Sequence, residues 1–384
     1  MPAVVAPIGD ARAAHLGVRV RPWNDEHGPA VRAFNARLAA RGVHYQFPEP
    51  ARANGETAGD SPIRHTSYLA LDRTGSMRGG YIIKLQDYFV GGERRPLGFY
   101  RLPLSEGLVD QRYGIVGVQL LADALKRQPE LFVLGIGGLD QPLSRMLTAR
   151  GWKLHDVPFY FRVERPFRFA RGIRHLRRTG AMRLALDAAA FSGAAWAAAT
   201  ALRLAAARRP SANTSSCIID GFNGWADGVW MSCRSQHALV GVRDAETLNA
   251  LYPSGTPRFI RVQVSRDGRP IGWAVVLDTK MADSPYFGNL RVGSIVDCMA
   301  DAGSARTVVS HAIRLLRDRG VDLIVSNQSA RCWSDSLRAE GFLQRPSGFL
   351  FGASPALAAR LAPGGAGLPE FHLTRGDGDG PINL

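Results

Sequence analysis

GLVDQRYGIVGVQLLADALKRQ, from Gly107 to Gln128, is the stretch whose reading decides the fold. It opens on a loop of small residues with Gly107, Gly114 and Gly117. It then places Val116, Leu120 and Leu121 on one helical face. A short apolar run follows, LFVLGIGG (Leu131–Gly138), and then a second helical pattern, PLSRMLTARGW, which stops at the Gly-aromatic step Gly151-Trp152. The same order returns near the middle of the other half. GSIVDCMADAGSARTVVSHAIRLLRDRG (Gly293–Gly320) leads to VDLIVSN (Val321–Asn327) and then to SARCWSDSLRAEGF, which ends on Gly341-Phe342. The spacing from the end of the first helix to the closing glycine is 24 residues in one copy (Arg127 to Gly151) and 22 in the other (Arg319 to Gly341). Each copy runs on into another extended segment, PFYFRV (Pro158–Val163) and GFLFGAS (Gly348–Ser354). A strand-loop-helix-strand order turns backbone N–H groups outward at the start of a helix, where a diphosphate or a thioester carbonyl can be held.

The 384 residues suit two cores of about 150–200 residues each. A hydrophobic fraction of 46% and a mean hydropathy of −0.09 argue against a multi-span membrane protein. Four scattered cysteines, Cys217, Cys233, Cys298 and Cys332, show neither metal-ligand nor redox spacing, so a reducing, cytoplasmic setting is expected. The stretch MPAVVAPIGDARAAHLG lacks the pattern of a secretory signal. The net charge of +15, nearly all of it arginine, favours an anionic partner: a nucleotide-bearing cofactor, a membrane surface or nucleic acid.

Along the chain, residues 1–16 read as disordered and 17–165 as a first lobe. Residues 166–216 read as a basic, alanine-rich helical linker, 217–362 as a second lobe and 363–384 as a flexible tail. In the linker, Arg168, Arg171, Arg174, Arg177 and Arg178 would oppose Phe169, Ile173 and Leu176 on one helix. That pattern allows peripheral contact with an anionic membrane at its inner face. The alternative packs the apolar stripe on the first lobe, with the arginines in water. The uninterrupted apolar core Ala188–Leu202 spans 15 residues, too short to cross a bilayer. FIRVQVSRDGRPIGWAVVLD is a hairpin turning at Asp267-Gly268.

This order of elements resembles the GNAT superfamily of acyl-CoA N-acyltransferases over 17–163 and, more loosely, over 255–354. In that family a loop of pattern Gln/Arg-x-x-Gly-x-Gly/Ala precedes the helix that binds the pyrophosphate of CoA. Gln111-Arg-Tyr-Gly114-Ile-Val116 fits with Val in the last place, and Arg112-Tyr-Gly-Ile-Val-Gly117 fits with Ile in the inner glycine place. The tandem arrangement is similar to two-lobed relatives, Fem-type and polysaccharide-associated acyltransferases among them. The resemblance implies an α/β (α+β) fold of two GNAT-like lobes, each a mixed, mostly antiparallel sheet flanked by helices. It also implies an N-acyltransferase using acetyl-CoA or another acyl-CoA. The cofactor would lie on Gln111, Arg112, Gly114, Val116 and Gly117, with Asn327 as a polar group facing cofactor or substrate. The acceptor would be an amino group on a small molecule, a sugar or an envelope precursor.

The second loop, Asp301-Ala-Gly-Ser-Ala-Arg306, has one glycine and places Ser304 as an N-cap. The first lobe is therefore expected to hold the cofactor. The family's Tyr acid, four residues before the Gly-aromatic step, is replaced by Leu147 and Leu337. The carboxylates left for proton transfer are Glu106 and Asp110 at the end of the first copy's fourth strand and Asp297 in the matching strand of the second. The missing Tyr and the degenerate loops also suit a non-catalytic GNAT-like interaction protein that has lost its cofactor site. No HExxH, G-x-S-x-G or Walker A pattern is present, and no metal site is expected. Nor does any aromatic-interleaved basic strand favour nucleic acid.

Overall fold

The computed structural model describes residues 17–49, 61–174, 176, 177, 179–191, 213–363 and 367–378. The first half runs β1 (Arg19–Pro22), α1 (Gly28–Ala39), β2 (Ile63–Leu71), β3 (Met77–Val90), β4 (Glu93–Ser105), α2 (Gly114–Arg127), β5 (Leu131–Leu134), α3 (Pro142–Ala149), β6 (Lys153–Asp156) and β7 (Phe159–Val163). Two connecting helices follow, α4 (Pro166–Gly172) and α5 (Gly180–Phe191). The second half runs β8 (Thr214–Ile219), α6 (Gly224–Cys233), β9 (Leu239–Gly241), α7 (Ala245–Leu251), β10 (Ile260–Arg266), β11 (Arg269–Lys280) and β12 (Arg291–Ala300). It continues through α8 (Ala305–Asp318), β13 (Leu323–Asn327), α9 (Arg331–Ala339), β14 (Leu343–Arg345), β15 (Leu350–Ala353), α10 (Pro355–Leu361) and β16 (Phe371–His372).

Both sheets are mixed and mostly antiparallel, as the sequence leads one to expect. The first has the order β1-β2-β3-β4-β5-β15-β6, with β9 on the far end of β3 and β16 beside β9. The second has the order β14-β7-β13-β12-β11-β10-β8. The fourth and fifth strands of each copy are parallel, and each is followed by an amphipathic helix packed on its own sheet. Val116, Leu120, Leu121 and Ala124 form the buried face of α2; Val308, Val309, Ala312, Ile313 and Leu316 form that of α8. Burying one such leucine contributes about 2 kcal/mol.

The two halves exchange a strand. β15, from the second half, inserts between β5 and β6 of the first sheet, with Phe351 opposite Leu134 and His155. β7, from the first half, inserts between β13 and β14 of the second, with Phe161 opposite Val325 and Leu343. The lobe boundaries read from sequence, 17–165 and 217–362, therefore need correction. The second sheet takes Phe159–Val163 from the first stretch, and the first sheet takes Leu239–Gly241 and Leu350–Ala353 from the second. The reason is visible in the burial: all four residues of β5 and all four of β15 are buried, so each inner strand needs an apolar neighbour on both sides.

The linker reading also changes. The arginine-rich stretch is not one helix, because α4 stops at Gly172 and Ile173 turns to extended backbone. Ile173 is buried and Phe169 partly so, both against the core of the second lobe rather than the first. Residues 367–378 do not fray as a tail. They form a strap across both sheets, with Leu373, Thr374, Gly376 and Asp377 buried. The expected disorder of residues 1–16, Arg178 and most of Ala188–Leu202 lie outside the described residues. Among the described residues no helix is long and apolar enough to cross a membrane.

Candidate active site

In each lobe the fourth and fifth strands pair briefly and then part. β4 meets β5 at Gly98–Leu131 and Phe99–Phe132. β12 meets β13 from Val292–Leu323 to Ile295–Ser326. Beyond these pairs each fourth strand is bent by a bulge. In β4 the register breaks opposite Gly80–Ile82, where Leu102 takes a φ of 48°. In β12 it breaks opposite Val275–Val276, just before Asp297. Two V-shaped openings result, each leading to the start of a helix, and their contents differ.

The first leads to α2. A one-turn helix over Gln111–Tyr113 precedes it, capped by Asp110, whose carboxylate accepts the Arg112 backbone N–H at 3.0 Å and pairs with the Arg112 guanidinium at 2.6 Å. That guanidinium holds the Asp110 carboxyl below the usual carboxylate range. No side chain caps the first turn of α2, so its N–H groups are not closed off by a side chain. A Cβ on Gly114 would meet nothing within 4 Å, and one on Gly117 only Ser105 Oγ at 3.7 Å. Packing therefore requires neither glycine. The one that packing does require is Gly107, where a Cβ would lie 2.8 Å from the Tyr113 carbonyl oxygen. Val116 turns its side chain inward and is fully buried, so it can offer only its backbone. Glu106 is buried between two arginines: Arg37 donates to Oε1 at 2.9 Å and Arg78 to Oε2 at 2.9 Å. Both carboxylate oxygens are thus engaged.

The second opening is filled by the chain itself. The strap bridges to the residue after β13 through Gln328 and Thr374. Asp297, 1% exposed, accepts from Arg243 Nε at 2.8 Å, Tyr252 Oη at 2.7 Å, Thr374 Oγ1 at 3.1 Å and the Cys298 backbone N–H at 3.0 Å. Arg243 reaches on to Asp377 Oδ1 at 2.7 Å, which also accepts from Tyr88 Oη at 3.2 Å. Burial pushes the Asp297 carboxyl up, and the Arg243 charge opposes it. The strap can come this close only with glycine at 376, where a Cβ would strike the Tyr252 hydroxyl and approach Asp297 to 2.8 Å. Asn327 is equally enclosed. Its amide donates to the carbonyls of Val157 and Pro158, and its oxygen accepts from Arg375 Nε at 2.7 Å. Ser304 sits at the start of α8 without making the expected cap bond.

A second group of polar residues lies on the face of the first sheet opposite α2. Register places His65, Lys84, Phe99 and Phe132 in one row across β2, β3, β4 and β5. That row ends where β4 and β5 part. Gln86 and Arg101 lie on the same face, one row to either side. Lys84 Nζ approaches the Asp377 carbonyl oxygen at 3.5 Å, so the strap borders this face. His65 is exposed at the surface of this face, and the nearby protein with the charges of Lys84 and Arg101 lowers its imidazole from the usual histidine value. Sequence reading passed over His65, Lys84, Arg243, Tyr252, Arg375 and Asp377. The signal that could have found His65 and Lys84 is strand alternation, which places them on one face once β2 and β3 are paired.

Neither a protein-family profile nor a curated protein sequence matches the chain. Solved structures do. A GCN5-related N-acetyltransferase from Anabaena variabilis superposes with a TM-score of 0.51 at 10% identity, over 87% of this chain and 72% of that one. The fold is that of a GNAT acyltransferase, built twice. Also similar are the Saccharomyces cerevisiae N-myristoyltransferase with bound myristoyl-CoA (TM-score 0.48, 12% identity, 88% and 78% of the two chains) and a tandem GNAT protein from the clavulanic acid biosynthesis pathway (0.46, 13%, 88% and 98%).

Proposed function

We propose that the chain is an acyl-CoA-dependent N-acyltransferase whose first lobe holds acetyl-CoA or another acyl-CoA. The observation that carries this reading is the contrast between the two openings. Both helix starts lack a side-chain cap, and the strap occupies the second opening, whereas α2 begins beside Gly114 and Gly117, where packing requires no glycine. The pyrophosphate would rest on the backbone from Gln111 to Gly117, with the Arg112 side chain held beside it by Asp110. An anion there gains about 0.3–1 kcal/mol from the helix dipole, and more as water is excluded. When bound, the cofactor supplies an activated thioester to an amine. The acceptor would approach along the face of His65, Lys84 and Arg101. His65 lies about 10 Å, two strand spacings, from the edge of the opening and would line the acceptor's path. In this reading Glu106 positions α1 and β3 through its arginines, Asp110 orients Arg112, and Asp297 and Asn327 hold the strap. The acceptor class is an amine-bearing small molecule or glycan precursor.

Isothermal titration with acetyl-CoA and with longer acyl-CoAs tests the proposal. Binding with a one-to-one ratio supports it and selects the acyl chain. No heat with any acyl-CoA, from a chain that melts cooperatively, leaves a non-catalytic GNAT-like interaction protein as the reading, in line with Leu147 and Leu337 where the family's acid would stand.

A further inference from the structure

One groove among the described residues lies away from both openings. It has a volume of about 800 Å³ and lies between the connecting helices α4 and α5 and the turn joining β11 to β12. Six cations line it: Arg168, Arg171, Arg174, Arg177, Arg183 and Lys280. Only two carboxylates, Asp283 and Asp322, share its wall. Part of the positive charge is neutralised within the protein. Arg177 forms a two-pronged pair with Asp187 at 2.8 and 2.9 Å. Arg168 stands 3.6 Å from Asp322, and Arg174 stands 3.9 Å from the Asp283 carboxylate while donating to the Asp283 backbone carbonyl at 3.2 Å. Lys280 has no side-chain partner among the described residues. Cations gathered in a concave wall repel one another until an anion enters, and guanidinium groups match phosphate oxygens two at a time.

The groove sits at the Arg291 end of β12, whereas the helix start lies beyond Ala300, about 30 Å away at the usual rise per residue. It is therefore separate from the α8 start, and none of its lining residues belongs to the first-lobe loop Gln111–Gly117. Phe167 lines it and is 46% exposed; Met182 and Leu184, which flank the lining residue Arg183 in α5, are 49% and 75% exposed.

We infer that this groove binds a phosphate monoester or diphosphate group through Arg171, Arg174 and Lys280. Anionic lipid headgroups and soluble phosphorylated metabolites share that chemistry, and two probes separate them. The first is inorganic pyrophosphate, titrated calorimetrically into the Gly117→Asp chain, so that the α2 start cannot contribute. The second is co-sedimentation of the wild-type chain with vesicles containing phosphatidic acid, whose headgroup is a phosphate monoester, against phosphatidylcholine vesicles, in 0.1 M salt (Debye length about 10 Å). Pyrophosphate binding alone assigns a soluble ligand. Sedimentation with the anionic vesicles assigns a lipid headgroup, with the exposed Phe167, Met182 and Leu184 reaching the interface. In either case the combined change Arg171→Gln, Arg174→Gln and Lys280→Gln weakens binding at least tenfold, with the melting temperature and acyl-CoA affinity of the otherwise wild-type chain unchanged. If neither probe binds, or the triple variant binds as the parent does, the inference is wrong. Lys280→Gln alone, on the edge of the turn, repeats the test should the triple variant melt early.

Discussion

The two lobes are copies in topology and opposites in what their openings contain. In the second, a buried arginine, two aspartates and two tyrosines lock the strap 367–378 between the diverging strands. In the first, a helix start with two unpacked glycines lies beside the opening, and a row of polar side chains crosses the sheet to its edge. The same bulged strand can thus serve as a fastening or as a binding surface. The charge after the bulge is matched in both copies, Glu106 by Arg37 and Arg78 and Asp297 by Arg243 and Tyr252. What differs is the strap, which brings Thr374 and Asp377 against Asp297 and Arg243 in the second opening.

The comparison breaks most directly if the halves prove independent. Expressed separately as residues 1–200 and 201–384, each half lacks an inner strand of its sheet. Each is expected to be unfolded or insoluble alone and to give cooperative melting only when the two are co-expressed; circular dichroism and thermal melting decide this. Next comes the lock itself. Arg243→Ala leaves Asp297 and Asp377 buried without their cation, and is expected to cost about 3–5 kcal/mol in denaturant unfolding. Arg78→Ala in the first lobe, where Arg37 still pairs the Glu106 carboxylate, should cost clearly less.

A paired substitution sharpens the contrast between helix starts. Gly117→Asp and Gly303→Asp both enter free space, so both chains should fold. The first places a like charge beside the pyrophosphate and is expected to weaken acyl-CoA binding at least a hundredfold, about 2.7 kcal/mol. The second should leave binding unchanged. Equal losses would mean that the second lobe also binds.

The smallest expected effect is on pH dependence. His311, on the buried face of α8, is bonded to Ser216 and Thr214 and held at about 4 by burial, then by Arg314. Its folded value lies below the unfolded 6.5, so the unfolded chain takes up the proton first. Stability is full above about pH 6.5 and falls as pH drops toward 4. His311→Gln should flatten that slope in a series of melts.

Sequence showed the repeated order, both amphipathic helices, the hairpin at Asp267-Gly268 and the glycine loop, because each is written in local periodicity or turn chemistry. It did not show which strand neighbours which. LFVL and LFGA are both continuous apolar runs, and nothing local says that they pair with one another across more than two hundred residues. The strap was missed for a related reason. Thr374, Arg375, Gly376 and Asp377 look like a soluble loop, and only the distant Arg243 and Asp297 make their burial favourable. The candidate carboxylates were found by position, but position could not tell that Arg37 and Arg78 flank Glu106.

The exchanged strand also bears on how the protein is made. As the chain leaves the ribosome, β5 and β6 are complete by Asp156, yet the strand that belongs between them begins only at Leu350. At usual rates of synthesis the gap stays open for roughly 10–40 s, with an apolar strand edge exposed on the nascent first half. The first sheet therefore cannot close co-translationally. Soluble production is expected to depend on holding that edge until the second half arrives, and slower growth or extra chaperone should raise the yield of intact chain more than that of a single-lobed protein of the same size.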